Sequence, residues 1–155
     1  MNADHAFSHP ASRIAFEVFR LNGALISAGD ALVASIGLTS ARWQVMGAIA
    51  EARGGLSVAG IARNMGLVRQ SVQRVVNDLK AEGLVHLVDN PHHRRARLAQ
   101  LTDAGSSAFD QACARWLTMA HGLVRELDTE RIESAIAILA QVRARLTAHS
   151  QVGDT

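Results

Sequence analysis

The chain has 155 residues, enough for one ordinary domain with its own core, and its 48% hydrophobic content excludes a disordered chain. Aromatic residues make up only 4%, with no tyrosine, which argues against an aromatic-lined catalytic pocket and against a base-stacking surface for single strands. The formal net charge is only +2, but residues 56–101 carry seven basic side chains against three acidic ones, a local +4 between flanks that sum to −2. A basic centre between mildly acidic ends points to a polyanion meeting the middle of the chain. No apolar run approaches the roughly 18 residues of a membrane span. Residues 1–10 lack the basic start and apolar core of a signal peptide, and the single cysteine, Cys113, cannot close an internal disulfide. A cytoplasmic chain with no membrane partner and no cofactor is expected.

Ile14, Val18, Leu21, Leu25, Leu32 and Ile36 recur at helical steps, predicting a first helix over residues 14–36 with Gly37 as its stop. Thr39 or Ser40 is placed to cap a second helix that carries Trp43, Val45, Met46 and Ile49 and ends at Gly54-Gly55. Ser57 caps a short third helix bearing Val58, Ile61, Ala62 and Met65, closed by Gly66. A fourth helix over residues 68–82 has the apolar stripe Val72, Val75, Val76 and Leu79. Gly83 stands where a left-handed cap is expected, with Leu84 folding back onto the last turn. The period then changes: residues 84–89 and 96–101 read as two strands joined by a basic turn. Thr102 caps a long helix to about residue 127, whose inner face takes in Phe109, Cys113, Trp116, Leu117, Met119 and Leu123. Asp128 or Thr129 starts a last helix with Ile132, Ile136, Leu139, Val142 and Leu146.

Two short helices about a tight glycine turn, followed by a hairpin, make a winged helix-turn-helix. The second of those helices needs one apolar face for anchorage and one face of donors for base edges and phosphates. The fourth helix meets this: Arg69, Gln70, Ser71, Gln73, Arg74, Asn77 and Lys80 lie off its apolar stripe. Arginine donates twice to guanine O6 and N7, and glutamine or asparagine pairs with adenine N6 and N7. Residues near the helix start reach deepest into the major groove, so Arg69, Gln70 and Gln73 are the base-reading candidates, and Arg74 reads a base or holds a phosphate. The hairpin adds His93, Arg94, Arg95 and Arg97, suited to the minor groove or its phosphates, and Ser57 joins the backbone contacts.

Leu38-Thr39 with Trp43, Leu56-Ser57 leading to Ile61-Ala62, the run Leu79-Lys80-Ala81-Glu82-Gly83-Leu84-Val85, the stretch from Asp89 to Arg95, and Leu101-Thr102-Asp103-Ala104-Gly105 together resemble the multiple-antibiotic-resistance regulator (MarR) family. The resemblance spans residues 38–105 and implies an obligate homodimer on a palindromic double-stranded operator. It also implies a recognition helix at residues 68–82, a wing at 84–101, and repression that a small ligand relieves. Two positions depart from the family pattern. Its wing usually reads Asp-Arg-Arg, and the Asp position here is His93, so that the orienting salt bridge is absent or Asp89 takes it over. Its recognition helix usually starts on Ser or Thr, and here it starts on Val68.

The expected architecture is mainly α with a small β-hairpin wing, in a single domain over residues 1–155. Within it, residues 38–102 form the DNA-binding region, and residues 10–37 and 103–148 supply helices whose stripes bury against a second copy. The family resemblance also implies a small aromatic or lipophilic effector between those helices and the DNA-binding region, with Phe16, Phe19, Trp43, Met46 and Trp116 as candidate lining residues. Cys113 lies on an apolar helix face and is expected to be buried and inert. His92 and His93 share no helix face, His86 is near but placed to lie on the opposite hairpin strand, and no Cys or second His pair stands at ligand spacing, so no metal is expected. No catalytic motif such as G-x-S-x-G, a P-loop, G-x-G-x-x-G or H-E-x-x-H occurs, so the chain is not expected to be an enzyme. The alternatives are a winged helix used only for protein contact and, behind it, a small-molecule enzyme.

Overall fold

Most helices in this chain start where a side chain accepts a hydrogen bond from an otherwise open first-turn N–H. Thr39 Oγ1 accepts from Arg42 N at 3.3 Å, Ser57 Oγ from Gly60 N at 3.1 Å, Thr102 Oγ1 from Gly105 N at 3.0 Å and Asp128 Oδ1 from Arg131 N at 2.9 Å. The computed structural model describes residues 7–93 and 95–152, with side chains as far as 149. Its elements run α1 (Pro10–Val33), a 3-10 turn (Ala34–Ile36), α2 (Ser40–Glu51), β1 (Leu56–Ser57), α3 (Val58–Met65), α4 (Arg69–Ala81), β2 (Val85–Val88), β3 (Leu98–Leu101), α5 (Asp103–Val124) and α6 (Thr129–Val152). The mainly α architecture with a winged helix-turn-helix is therefore present, with some boundaries shifted from those periodicity suggests. The first helix yields to the 3-10 turn after Val33, the second ends at Glu51 rather than at the glycine pair, and each wing strand is four residues long.

The sheet has a third strand that periodicity does not reveal. Its order is β1-β3-β2, all antiparallel, with Leu56 opposite Ala99, Leu87 also opposite Ala99, and Val85 opposite Leu101. Two residues of β1 are too few to carry a hydrophobic period, but their pairing fixes the wing's base to the start of α3.

The described residues fall into two compact units that meet in sequence at Trp116 and Leu117. In the first, α2 packs against α1, α3, α4 and β3. Val33, Val45, Met46, Ile61, Val72, Val76, Leu79 and Val85 are its fully buried side chains, joined by Ala112 of α5. Burying each of the larger ones stabilises the fold by about 1.5–3 kcal/mol relative to exposure. Gly83 closes α4 in the left-handed region at φ +72°, where a side chain would be strained, and Leu84 N donates back to Leu79 O at 2.9 Å.

In the second unit every residue from Leu117 to His149 is at least partly exposed. Leu117 and Leu123, expected on an inner face, are each 57% exposed, and Ile136, Leu139 and Leu146 are exposed as well. Within this unit no facing surface buries these side chains. Cys113 is also half-buried rather than buried. No single helix among the described residues is long and apolar enough to cross a membrane.

Candidate nucleic-acid interface

The register of α4 follows from its burial. Val72, Val76 and Leu79 are 1%, 0% and 0% exposed, so the helix is fixed in rotation about its own axis. That rotation turns Arg69, Gln70, Ser71, Gln73, Arg74, Asn77 and Lys80 outward, and all seven are exposed. Gln70, Gln73, Arg74 and Asn77 stand at i, i+3, i+4 and i+7, forming one stripe. Within it Gln73 Nε2 donates to Asn77 Oδ1 at 3.0 Å, which leaves the Gln73 carbonyl oxygen and the Asn77 amide hydrogens open. No carboxylate among the described residues comes within ion-pair reach of Arg69, Arg74, Lys80 or Arg95. Val68, at the helix start, offers no side-chain cap and is 67% exposed, so the positive end of α4 faces outward.

Ser57 has a different setting. It is half-buried, and its hydroxyl oxygen accepts from Gly60 N as the cap of α3. Its hydroxyl proton remains available to an acceptor outside.

The wing is organised by Asn90, which charge and period alone do not single out. Asn90 Oδ1 accepts from His92 N at 3.0 Å and Asn90 Nδ2 donates to Ala96 O at 3.0 Å, so one side chain laces both ends of the turn. The Asn-Pro pair following a strand is the signal that marks it. Arg97 is exposed but tied to the hairpin: Nη2 donates to Leu87 O at 2.6 Å and Nε lies 3.6 Å from Asp89 Oδ1. Of the two options for the wing salt bridge, Asp89 is the carboxylate that pairs, and Arg97 is its partner. His92, His93 and Arg95 are exposed at the tip, and Arg94 lies outside the described residues.

The five candidate lining residues for an effector are not brought together in one cavity. Met46 is 0% exposed and belongs to the core. Trp43 and Trp116 are half-buried and pack on one another, ring centroids 5.8 Å apart and planes tilted by 58°. Phe16 stacks on Phe7 at 5.5 Å beside a shallow depression near the start of α1, and Phe19 is 69% exposed. Among the described residues no group of three His, Cys, Asp or Glu side chains is close enough to share a metal ion.

Comparison with known proteins places these features in a family. The model of the MarR family matches residues 36–96, from the end of the 3-10 turn into the wing. An uncharacterized protein of Mycobacterium tuberculosis is 34% identical over 123 residues, covering 79% of this chain and 85% of that protein. The transcriptional activatory protein BadR of Rhodopseudomonas palustris is 29% identical over 111 residues, 70% of this chain and 63% of BadR. Among solved structures, CouR of Rhodococcus jostii, crystallised with p-coumaroyl-CoA, superposes with a TM-score of 0.73 at 26% identity, over 88% of this chain and 95% of CouR. MepR of S. aureus, crystallised with DNA, shares the fold with a TM-score of 0.76 at 17% identity, over 85% and 95% of the two chains.

Proposed function

The chain belongs to the MarR family of DNA-binding transcriptional regulators, and from that premise we propose that it grips a palindromic operator as a homodimer, with α4 in the major groove and the wing on the flanking backbone. The observation that carries this reading is the outward stripe of α4, whose donors are held by three buried aliphatic side chains and whose arginines have no carboxylate partner among the described residues. Arg69, Gln70 and Gln73 read base edges, and Arg74 reads a base or holds a phosphate. Ser57, Ser71, Asn77, Lys80, His93, Arg94, Arg95 and Arg97 position the backbone or brace the side chains that do.

The dimer is proposed from the apolar surface that one chain leaves open. Phe16, Phe19 and Leu21 on α1, and Leu117, Leu123, Ile136 and Leu146 further on, are all exposed. Residues 10–37 and 103–148 are the dimerisation region of a single domain, and residues 38–102 the DNA-binding region. Two copies then present two recognition helices to half-sites about one turn of DNA apart. The chain acts by binding, in the cytoplasm, and catalyses no reaction. It works as a repressor released by a small aromatic or lipophilic effector, which favours a helix spacing that mismatches the half-sites.

Selection from a random duplex library at two salt concentrations tests the reading. A palindrome whose affinity falls steeply with salt is expected, because bound cations leave the phosphates on association. An apolar protein-contact surface would select nothing and respond little to salt. Arg95→Ala is expected to weaken binding across sequences and to flatten the log–log salt slope by about 0.9 for each phosphate that is no longer neutralised; an unchanged slope at low salt would remove the wing from the interface. For the effector, the two tryptophans of the chain form the Trp43–Trp116 pair. CouR was crystallised with p-coumaroyl-CoA, so aromatic acyl thioesters are the first class to titrate. Quenching of tryptophan emission in step with operator release is expected, and release without any spectral change would place the effector elsewhere.

A further inference from the structure

Two charged residues stand at helix ends where their sign is unfavourable. Arg42 is in the first turn of α2, whose N-terminal end is positive, and Glu82 caps the C-terminal end of α4, which is negative. They lie 40 positions apart in sequence, and they pair: the Arg42 guanidinium donates through Nη2 to Glu82 Oε1. The same guanidinium donates through Nη1 to Gly37 O at 3.1 Å, the carbonyl of the residue whose N–H closes the turn after α1. The Arg42 side chain is only 17% exposed, so this pair is poorly screened on one side.

The corner that Arg42 leaves from is itself locked. Ser40, 2% exposed, donates its N–H to Asp30 Oδ1 at 2.6 Å and its hydroxyl to Ile26 O at 3.0 Å, joining α2 to α1. From α5, Arg115 Nη1 donates to Leu32 O at 3.1 Å and to Ser35 Oγ. The end of α1 is therefore held rigidly, and Arg42 extends that hold to the last turn of α4. The buried stripe of α4, Val72, Val76 and Leu79 with Val75 packed beside them, fixes its rotation through non-directional apolar contacts. The Arg42–Glu82 bond adds a directional tie between the last turn of α4 and the start of α2.

From this geometry we infer that Arg42 and Glu82 are positioning residues for sequence-specific DNA binding: they set the tilt of α4 relative to α1 and so the spacing of the two α4 helices on an operator. The inference rests on the operator-binding reading above. Neither residue touches DNA in it, and the pair acts only through α4.

Charge alone and positioning predict opposite signs. Glu82→Ala removes a negative charge, so electrostatics makes every duplex bind more tightly. Positioning instead makes the selected operator bind about tenfold more weakly, a coupling of ordinary size for residues in one network. A random duplex binds equally or more tightly. Arg42→Gln weakens the operator similarly, the double variant is no weaker than the weaker single one, and Arg42→Lys, which keeps the charge but not the two-pronged donor, recovers only part of the loss. Thermal midpoints are measured beside every affinity, and a variant with the wild-type midpoint separates positioning from loss of the fold. Operator binding by Glu82→Ala equal to or tighter than wild type overturns the inference. So do losses that simply add in the double variant, or a loss of the same size on operator and random duplex. A wild-type protein that binds no duplex overturns the operator-binding reading, and this inference with it.

Discussion

Gly105→Ala is expected to destabilise the protein by about 3 kcal/mol or more, the upper range for forcing atoms into a packed site, and to lower its unfolding midpoint by about 6–12 °C. Gly105 is in the first turn of α5, and a Cβ there would overlap the carbonyl oxygen of Leu84 and approach its carbon to 2.9 Å. The obstacle is backbone, so no side chain can swing aside. Leu84 is also held from two directions: its N–H donates to Leu79 O at 2.9 Å, and its carbonyl accepts from Thr102 N at 3.1 Å. Thr102 Oγ1 donates to Gly83 O at 2.7 Å and accepts from Gly105 N. The end of α4, the start of β2 and the start of α5 thus share one junction, and relief would have to separate all three. Gly122→Ala is the matched control on the same helix, where an added Cβ meets nothing within 4 Å. Alanine's better helix propensity, about 1 kcal/mol, should leave that variant as stable as wild type or more so. Thermal denaturation at one protomer concentration checks both, and equal midpoints for the two variants would show that this junction is not closely packed.

That junction illustrates what is legible in the sequence. Leu84 folding back over Gly83, and Thr102 capping a helix, are local events within a few residues, so residue type and spacing predict them. The same holds for α4, whose stripe at positions 72, 75, 76 and 79 is long enough to fix a period and hence an outward face. What escapes is non-local or too short. The strand Leu56–Ser57 exists only because Leu98 and Ala99 arrive beside it. The Arg42–Glu82 pair joins positions 40 apart, and nothing in either local window selects the partner. Cys113, Leu117 and Leu123 are expected on an inner face, but Cys113 is half-buried and the two leucines are exposed, because periodicity gives the spacing of apolar residues and not the facing surface that would bury them. The wing arginine differs from expectation for a related reason. Counting charges places Arg97 with the free cations, whereas antiparallel pairing brings it level with Asp89 and the Leu87 carbonyl.

Arg74→Ala is expected to weaken operator binding by about 1–3 kcal/mol per protomer, the size of one bidentate base contact, while leaving the unfolding midpoint and the dimer unchanged. The stability half follows from the fold. The Arg74 side chain is exposed and has no described partner, while its neighbours Val72 and Val76 carry the packing. The binding half follows from symmetry as well as chemistry. A dimer on a palindrome uses Arg74 twice, so a roughly tenfold loss in each half-site compounds to about a hundredfold on the whole site. Competition between the selected operator and variants carrying single base changes then decides which role the guanidinium has. Loss confined to the operator, with discrimination relaxed at one base pair of each half-site, identifies a base contact. Uniform loss on all duplexes, with a shallower salt slope, identifies a phosphate contact. Unchanged affinity on every duplex would mean that the outward stripe of α4 is not the surface that meets DNA, and the assignment of the recognition helix would have to be abandoned.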